Sequence, residues 1–154
     1  MRNFRLIYAL VLLFCCCSYA YAAELSGAYT INSSLTASTT NFKNLNSAIT
    51  FLVGSGVRSD AGPSNTAPFG VNGPVQFNVT TTSTTTYAEQ IIIPLIPGAS
   101  DVNTITFNGN SNTLQFACNA SNPYVIRLQG AKHIVIQNFI IKTTANTRNN
   151  TPIL

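Results

Sequence analysis

Gly73-Pro74-Val75-Gln76-Phe77-Asn78-Val79 is the stretch on which the fold turns. Val75, Phe77 and Val79 alternate with Gln76 and Asn78, a pattern that buries one face of a strand and wets the other. The triplet Val75-Gln76-Phe77 returns in kind as Ile105-Thr106-Phe107 and Ile134-Val135-Ile136, at offsets of 30 and 29 residues. Other short apolar pieces lie between: Ile91-Ile92-Ile93, Thr113 to Phe116, Tyr124 to Leu128 and Phe139 to Lys142. Asn, Gly or Pro bounds most of them, and no helical pattern separates one from the next.

Two folds accept strands of this length and spacing. A β-sandwich is one. A parallel β-helix, in which the strands are faces of successive coils, is the other. The near-constant offset favours the coil, as do Asn108, Asn110, Asn112 and Asn138 at the separators. Asn tolerates tight turns, and stacked coils align side-chain amides into ladders that satisfy one another.

Upstream, the sequence predicts one short strand over Ala28 to Ile31 and one helix at about 41–53. Thr40 or Asn41 is its expected N-cap. Phe42, Leu45, Ile49 and Leu52 form an apolar stripe, and Gly54 and Gly56 end it. A β-helix has an open apolar end, and this helix is expected to cap it. Arg58 to Asn72, punctuated by Gly62-Pro63, Pro68 and Gly70, reads as an exposed loop at 58–72.

The first 22 residues carry a different message. Arg2 and Arg5, an apolar run from Leu6 to Cys17, and Ala20-Tyr21-Ala22 together read as a secretory signal peptide cleaved between Ala22 and Ala23. The run is shorter than the roughly 20 apolar residues of a membrane span. The expected mature chain, from Ala23, is therefore secreted or held at the outer cell surface. A lipid anchor on a leader cysteine is the less favoured alternative, since Phe14 or another cysteine stands where a small residue is expected. Cys15, Cys16 and Cys17 leave with the leader, so Cys118 remains without an internal disulfide partner and is expected to pack as a small apolar residue.

Without Arg2 and Arg5, six basic residues face four acids, a net charge of +2. The bases are scattered, so no nucleic acid is expected as partner. Charged residues are 8% of the whole chain, and Thr, Ser and Asn must supply solubility.

Asn41 to Gly54, Gly73 to Val79 and Tyr87-Ala88-Glu89-Gln90-Ile91 resemble the opening of a known family. Ile96-Pro97-Gly98-Ala99-Ser100, Asn103 to Phe107 and Arg127-Leu128-Gln129-Gly130-Ala131 extend the likeness over most of 25–142. It is the right-handed parallel β-helix, pectin-lyase-like family exported by Bacteroidota-type bacteria, whose members are often large and adhesin-like. The resemblance implies an all-β solenoid with an N-terminal capping helix, and a complete protein with more coils and a C-terminal sorting domain. On that basis the chain is expected to be truncated at the C-terminus, a fragment holding the cap and first coils.

Some relatives cleave acidic polysaccharides with calcium held by clustered Asp residues, but this chain carries no such motif to transfer. Glu24, Asp60, Glu89 and Asp101 are too far apart in sequence for a local calcium loop, so neither metal nor cofactor is expected. Glu89 is expected to bond backbone amides of its own turn. His133, with no partner evident in the sequence, reads as a solvent-side residue, and Arg127 and Lys132 as a hydrated pair. Asn32, Asn78, Asn119 and Asn149 head glycosylation-type triplets that are commonplace in so Asn- and Thr-rich a chain.

The leading expectation is non-enzymatic: an exported surface segment with a structural or adhesive role, whose partners are polysaccharides or host and cell-surface glycans. Tyr124, Arg127 and Gln129 are its contact candidates; Arg127 and Gln129 share a strand face, whereas Tyr124 joins them only across a bend. The alternative is the N-terminal part of a polysaccharide lyase or glycoside hydrolase whose active site lies on other coils.

Overall fold

The computed structural model describes residues 24–54, 56–65, 69–81 and 85–144. The expected leader, its Ala22–Ala23 junction and Asn149 lie outside them. The described chain is almost all strand, arranged in parallel sheets with one short helix. In order come β1 (Leu25–Ile31), β2 (Asn41–Phe42), α1 (Leu45–Val53), β3 (Val71–Val79), β4 (Thr86–Ala88) and β5 (Ile91–Pro94). They continue with β6 (Ile105–Asn108), β7 (Thr113–Phe116), β8 (Ile126–Gln129), β9 (Ile134–Gln137) and β10 (Ile140–Thr143).

The sheets take strands in rotation. The first has the order β2-β1-β3-β6-β9, the second β10-β7-β4 and the third β5-β8. All the strand pairs in these sheets are parallel. The offset in the sequence is the register itself: Val75 stands opposite Ile105, and Ile105 opposite Ile134. This solenoid-like order is incompatible with a sandwich, whose neighbouring strands run antiparallel.

Alternation then decides the core. Val75, Phe77, Ile105, Phe107, Ile91, Ile93 and Leu114 are buried. Phe107 stacks on Phe77 with centroids 5.0 Å apart and planes at 14°. Phe42 meets Phe77 edge-on at 5.6 Å, continuing the aromatic column towards the helix.

The helix begins later than its apolar stripe suggests. Asn41 and Phe42 belong to β2, and the N-cap is Asn44 rather than Thr40 or Asn41. The physical reason is that Asn41 and Phe42 are already committed elsewhere. The Asn41 side chain donates to the carbonyls of Asn32 and Thr36, and Phe42 is wholly buried beside β1. Asn44, in an extended conformation, is free to accept from the amide of Ser47 at 2.7 Å. At the other end Gly54 adopts a left-handed conformation, φ 68°, and caps with bonds to Thr50 and Phe51. A Cβ there would sit 1.7 Å from the Phe69 ring. The helix packs on β5, β1 and β2, across the first strand of the third sheet.

The 58–72 segment is not simply exposed. Ser59, Ala61, Pro63, Ser64 and Phe69 face solvent, but Arg58 is buried, and Val71 and Asn72 start β3. Arg58 lies 4.3 Å from the centre of the Phe42 ring and donates to Asp60 through Nε and Nη2 at 2.9 and 2.7 Å. It also donates to the carbonyls of Ser38, Asn41 and Pro63. The segment is thus fastened by a charge that hydropathy patterning assigns to solvent.

Candidate functional site

Three places in the described chain gather functional groups. The first is the outward side of the first sheet. Gln76 stands opposite Thr106, and Asn78 opposite Asn108, which in turn opposes Gln137. Asn138 donates its side-chain amide to Asn108 Oδ1 at 3.0 Å, and Asn108 donates to Asn78 Oδ1 at 3.2 Å. This ladder shares only part of its membership with the amides singled out in the sequence. Asn110 turns aside to the carbonyl of Val79 at 2.6 Å. Asn112 is buried, donating to Gly109 and Asn110 and accepting from Thr81 Oγ1 and the Thr85 amide. Asn78 was the missed rung; the 30-residue steps to Asn108 and Asn138 are the signal that finds it. β1, β2, β3, β6 and β9 contain no Lys, Arg, Asp or Glu.

The second place is the third sheet. Arg127 stands opposite Ile92 and Gln129 opposite Pro94, both outward and exposed. Tyr124 is buried at 7% exposure, so it offers little direct contact surface, and its carbonyl accepts from Gln90 Nε2 at 2.8 Å. Its ring nevertheless lies 5.7 Å from the Arg127 guanidinium carbon, a cation–π contact across the bend that begins β8. The three candidates are therefore neighbours, with Tyr124 supporting Arg127 from below. Beside them a groove of about 260 Å³ runs between the helix and β5, bounded by Asn46, Thr50, Val53, Gln90, Ile92 and Pro94.

The third place comprises the titratable groups. Glu89 does not bond the amides of its own turn. It reaches the helix start, accepting from the amides of Leu45 at 3.0 Å and Asn46 at 2.9 Å, and from Asn46 Nδ2. With Asn44 capping Ser47, the first three amides of α1 are all satisfied. Burial pushes the Glu89 carboxyl above its ordinary range, an effect these bonds from Asn46 and Leu45 only partly offset. For Asp60, burial also works upward, but Arg58 and the amides of Lys43 and Gly62 outweigh it and hold the carboxyl below the usual range.

His133 has a partner that sequence distance concealed: Asp101 Oδ1 is 3.0 Å from its Nδ1. The two residues lie 32 positions apart in sequence but on the turns before the paired parallel strands β6 and β9. His133 is exposed and left-handed, φ 56°, just before β9. Cys118 is buried at 1% exposure. Among the described residues no group of three or more His, Cys, Asp or Glu converges on a point that could hold a metal ion. No described helix is long and apolar enough to cross a membrane.

No known protein family, curated protein or solved structure matches this chain.

Proposed function

We propose that the chain is an exported, cell-surface segment of a right-handed parallel β-helix with a structural or adhesive role, contacting carbohydrate along its flank. The observation that carries this reading is the in-register stacking of outward polar side chains. Gln76 and Thr106 form one row; Asn78, Asn108 and Gln137 form the next, on strands about 4.8 Å apart. Rows of neutral donors and acceptors on a sheet whose strands carry no charge suit the hydroxyls of a glycan, which they bind through many weak contacts rather than one pocket. Arg127 and Gln129 on the neighbouring sheet supply a cationic margin for an acidic sugar.

A panel of neutral and acidic polysaccharides, probed with the exported chain, tests the proposal. Retention on a neutral glycan, lost in a Gln76→Ala/Thr106→Ala variant, supports the first sheet as the contact. Loss in Arg127→Ala/Gln129→Ala, with acidic glycans only, assigns the third sheet. No retention on any member sinks the adhesive reading. Release of unsaturated or reducing ends would instead favour the lyase or hydrolase alternative, whose active site would lie on other coils. Export is tested separately, by N-terminal sequencing of secreted material, with Ala23 as the expected first residue.

A further inference from the structure

Three of the glycosylation-type triplets fall on described residues, and the fold treats them differently. Asn32 is buried at 8% exposure; its Nδ2 donates to the Thr80 carbonyl at 3.1 Å, and its Oδ1 accepts from the Ser34 amide at 3.0 Å. Asn78 is a ladder rung inside the first sheet, held between Thr30 of β1 and Asn108 of β6. Asn119 is exposed, on the link from β7 to β8. The chain passes twice from the second sheet to the third. Between β4 and β5 two residues suffice, Glu89 and Gln90, whereas between β7 and β8 there are nine, 117–125. Cys118, Tyr124 and Val125 are buried at the base of this longer link, so the excess length at 119–123 projects sideways from the strand stack.

We propose that Asn119 is a site of N-linked glycosylation, modified in the course of export. The tip of the link is closed by reciprocal backbone bonds between Asn119 and Asn122, at 3.1 and 3.2 Å. Asn119 Oδ1 accepts from the amides of Ser121 and Asn122, both at 2.9 Å, which turns the side-chain carbonyl towards the tip. Among the described residues, Asn119 Nδ2 and the Ser121 hydroxyl have no hydrogen-bond partner. The nitrogen that would take the sugar and the hydroxyl that completes the Asn-x-Ser pattern thus both belong to exposed residues, with Ala120 rather than Pro between them. The donor is a sugar carried on a lipid diphosphate and brought by a membrane transferase on the exported side. Asn119 Nδ2 attacks the anomeric carbon: the C–N bond forms, the bond from that carbon to the diphosphate oxygen breaks, the diphosphate leaves with the electron pair, and Nδ2 gives up one proton. Whether transfer precedes or follows folding, a sugar on Asn119 stands in solvent. One on Asn32 would have no room, and one on Asn78 would break into the amide ladder.

The inference rests on the export half of the reading above and is independent of carbohydrate contact. The test takes the chain from the cells that produce it, sequences its N-terminus and weighs its proteolytic peptides by mass spectrometry. The expected result is a chain that begins at Ala23, with the Asn119 peptide heavier by a sugar that peptide N-glycanase removes, and the Asn32 and Asn78 peptides unmodified. Ser121→Ala should abolish the added mass and leave the circular dichroism spectrum unchanged, because Ser121 is exposed and only its backbone amide is engaged; Ser121→Thr should keep the sugar. A chain that begins at Ala23 with Asn119 unmodified overturns the proposal and leaves export standing. Sugar on Asn32 or Asn78 in place of Asn119 overturns it too, as does added mass that survives Ser121→Ala. A chain that keeps Met1 and carries no sugar overturns export and this inference together.

Discussion

Phe77 and Phe107 are 30 residues apart in sequence, yet they are register partners with stacked rings, 5.0 Å between centroids. Both are buried, Phe77 fully and Phe107 at 1% exposure. Truncating Phe107 to Ala should cost about 3–5 kcal/mol, from lost transfer energy and the cavity left between the stacked strands. Against a total stability of about 5–15 kcal/mol that change is dangerously large, so Leu is the better probe. A cycle of Phe77→Leu, Phe107→Leu and the double variant, followed by urea denaturation, isolates the ring–ring interaction. Stacked aromatic pairs contribute about 0.5–1.5 kcal/mol beyond their buried area, and the coupling energy should fall in that range. Residues in separate layers give additive effects, within about 0.5 kcal/mol. An additive result would refute the stacked register and the layered core derived from it.

Asp60→Asn should destabilise by about 3–5 kcal/mol, because Arg58 would be left buried without its counter-charge. Asp60 is held below the ordinary carboxylate range, so its stabilisation is complete above the unfolded-state pKa and lost as pH falls through the folded value; acid melts of the wild type should show this loss and Asp60→Asn should not. Glu89 behaves with the opposite sign. Its carboxyl is raised, so its contribution is fullest below the unfolded pKa and declines as pH rises through the folded value, and Glu89→Gln should flatten that part of the stability–pH curve. Asn112→Ala should cost at least about 2 kcal/mol by stranding buried partners, whereas Asn108→Ala, on the partly wet ladder, should cost about 0.5–1.5 kcal/mol, as thermal or urea melts will show. Gly98→Ala should prevent or severely weaken folding: φ is 78° and a Cβ would lie 1.9 Å from the Val71 carbonyl oxygen, which circular dichroism will register.

The parallel stack was legible because alternation and offset are both sequence quantities. Val75, Ile105 and Ile134 show a strand and its repeat without reference to anything distant. The helix was legible too, except for its first turn, where Asn41 and Phe42 were claimed by β1 through pairings that span 11 positions. Arg58 escaped because its burial is licensed by five acceptors and an aromatic ring gathered from Ser38 to Pro63, and no local pattern announces them. β4 escaped because Thr86-Tyr87-Ala88 follows a Thr-rich tract and becomes a strand only by pairing with β7. The shared outward face of Arg127 and Gln129 was legible from strand parity. The Tyr124–Arg127 contact and the Asp101–His133 pair were not legible, since a bend and the pairing of distant strands create them. Glu89 shows the same limit. That it bonds amides follows from its chemistry, but that the amides start a helix 43 residues upstream follows only from the fold.

Interstrand nuclear Overhauser contacts measure strand direction with the fewest assumptions. In a uniformly labelled chain, the Ile105 amide should show cross-peaks to residues around Val75 on one side and Ile134 on the other, in the staggered pattern of parallel pairs. Strong Hα–Hα peaks between directly opposed residues of β3 and β6, which arise only where antiparallel strands bring Cα atoms to about 4.5 Å, would contradict the stacked-coil architecture at its root.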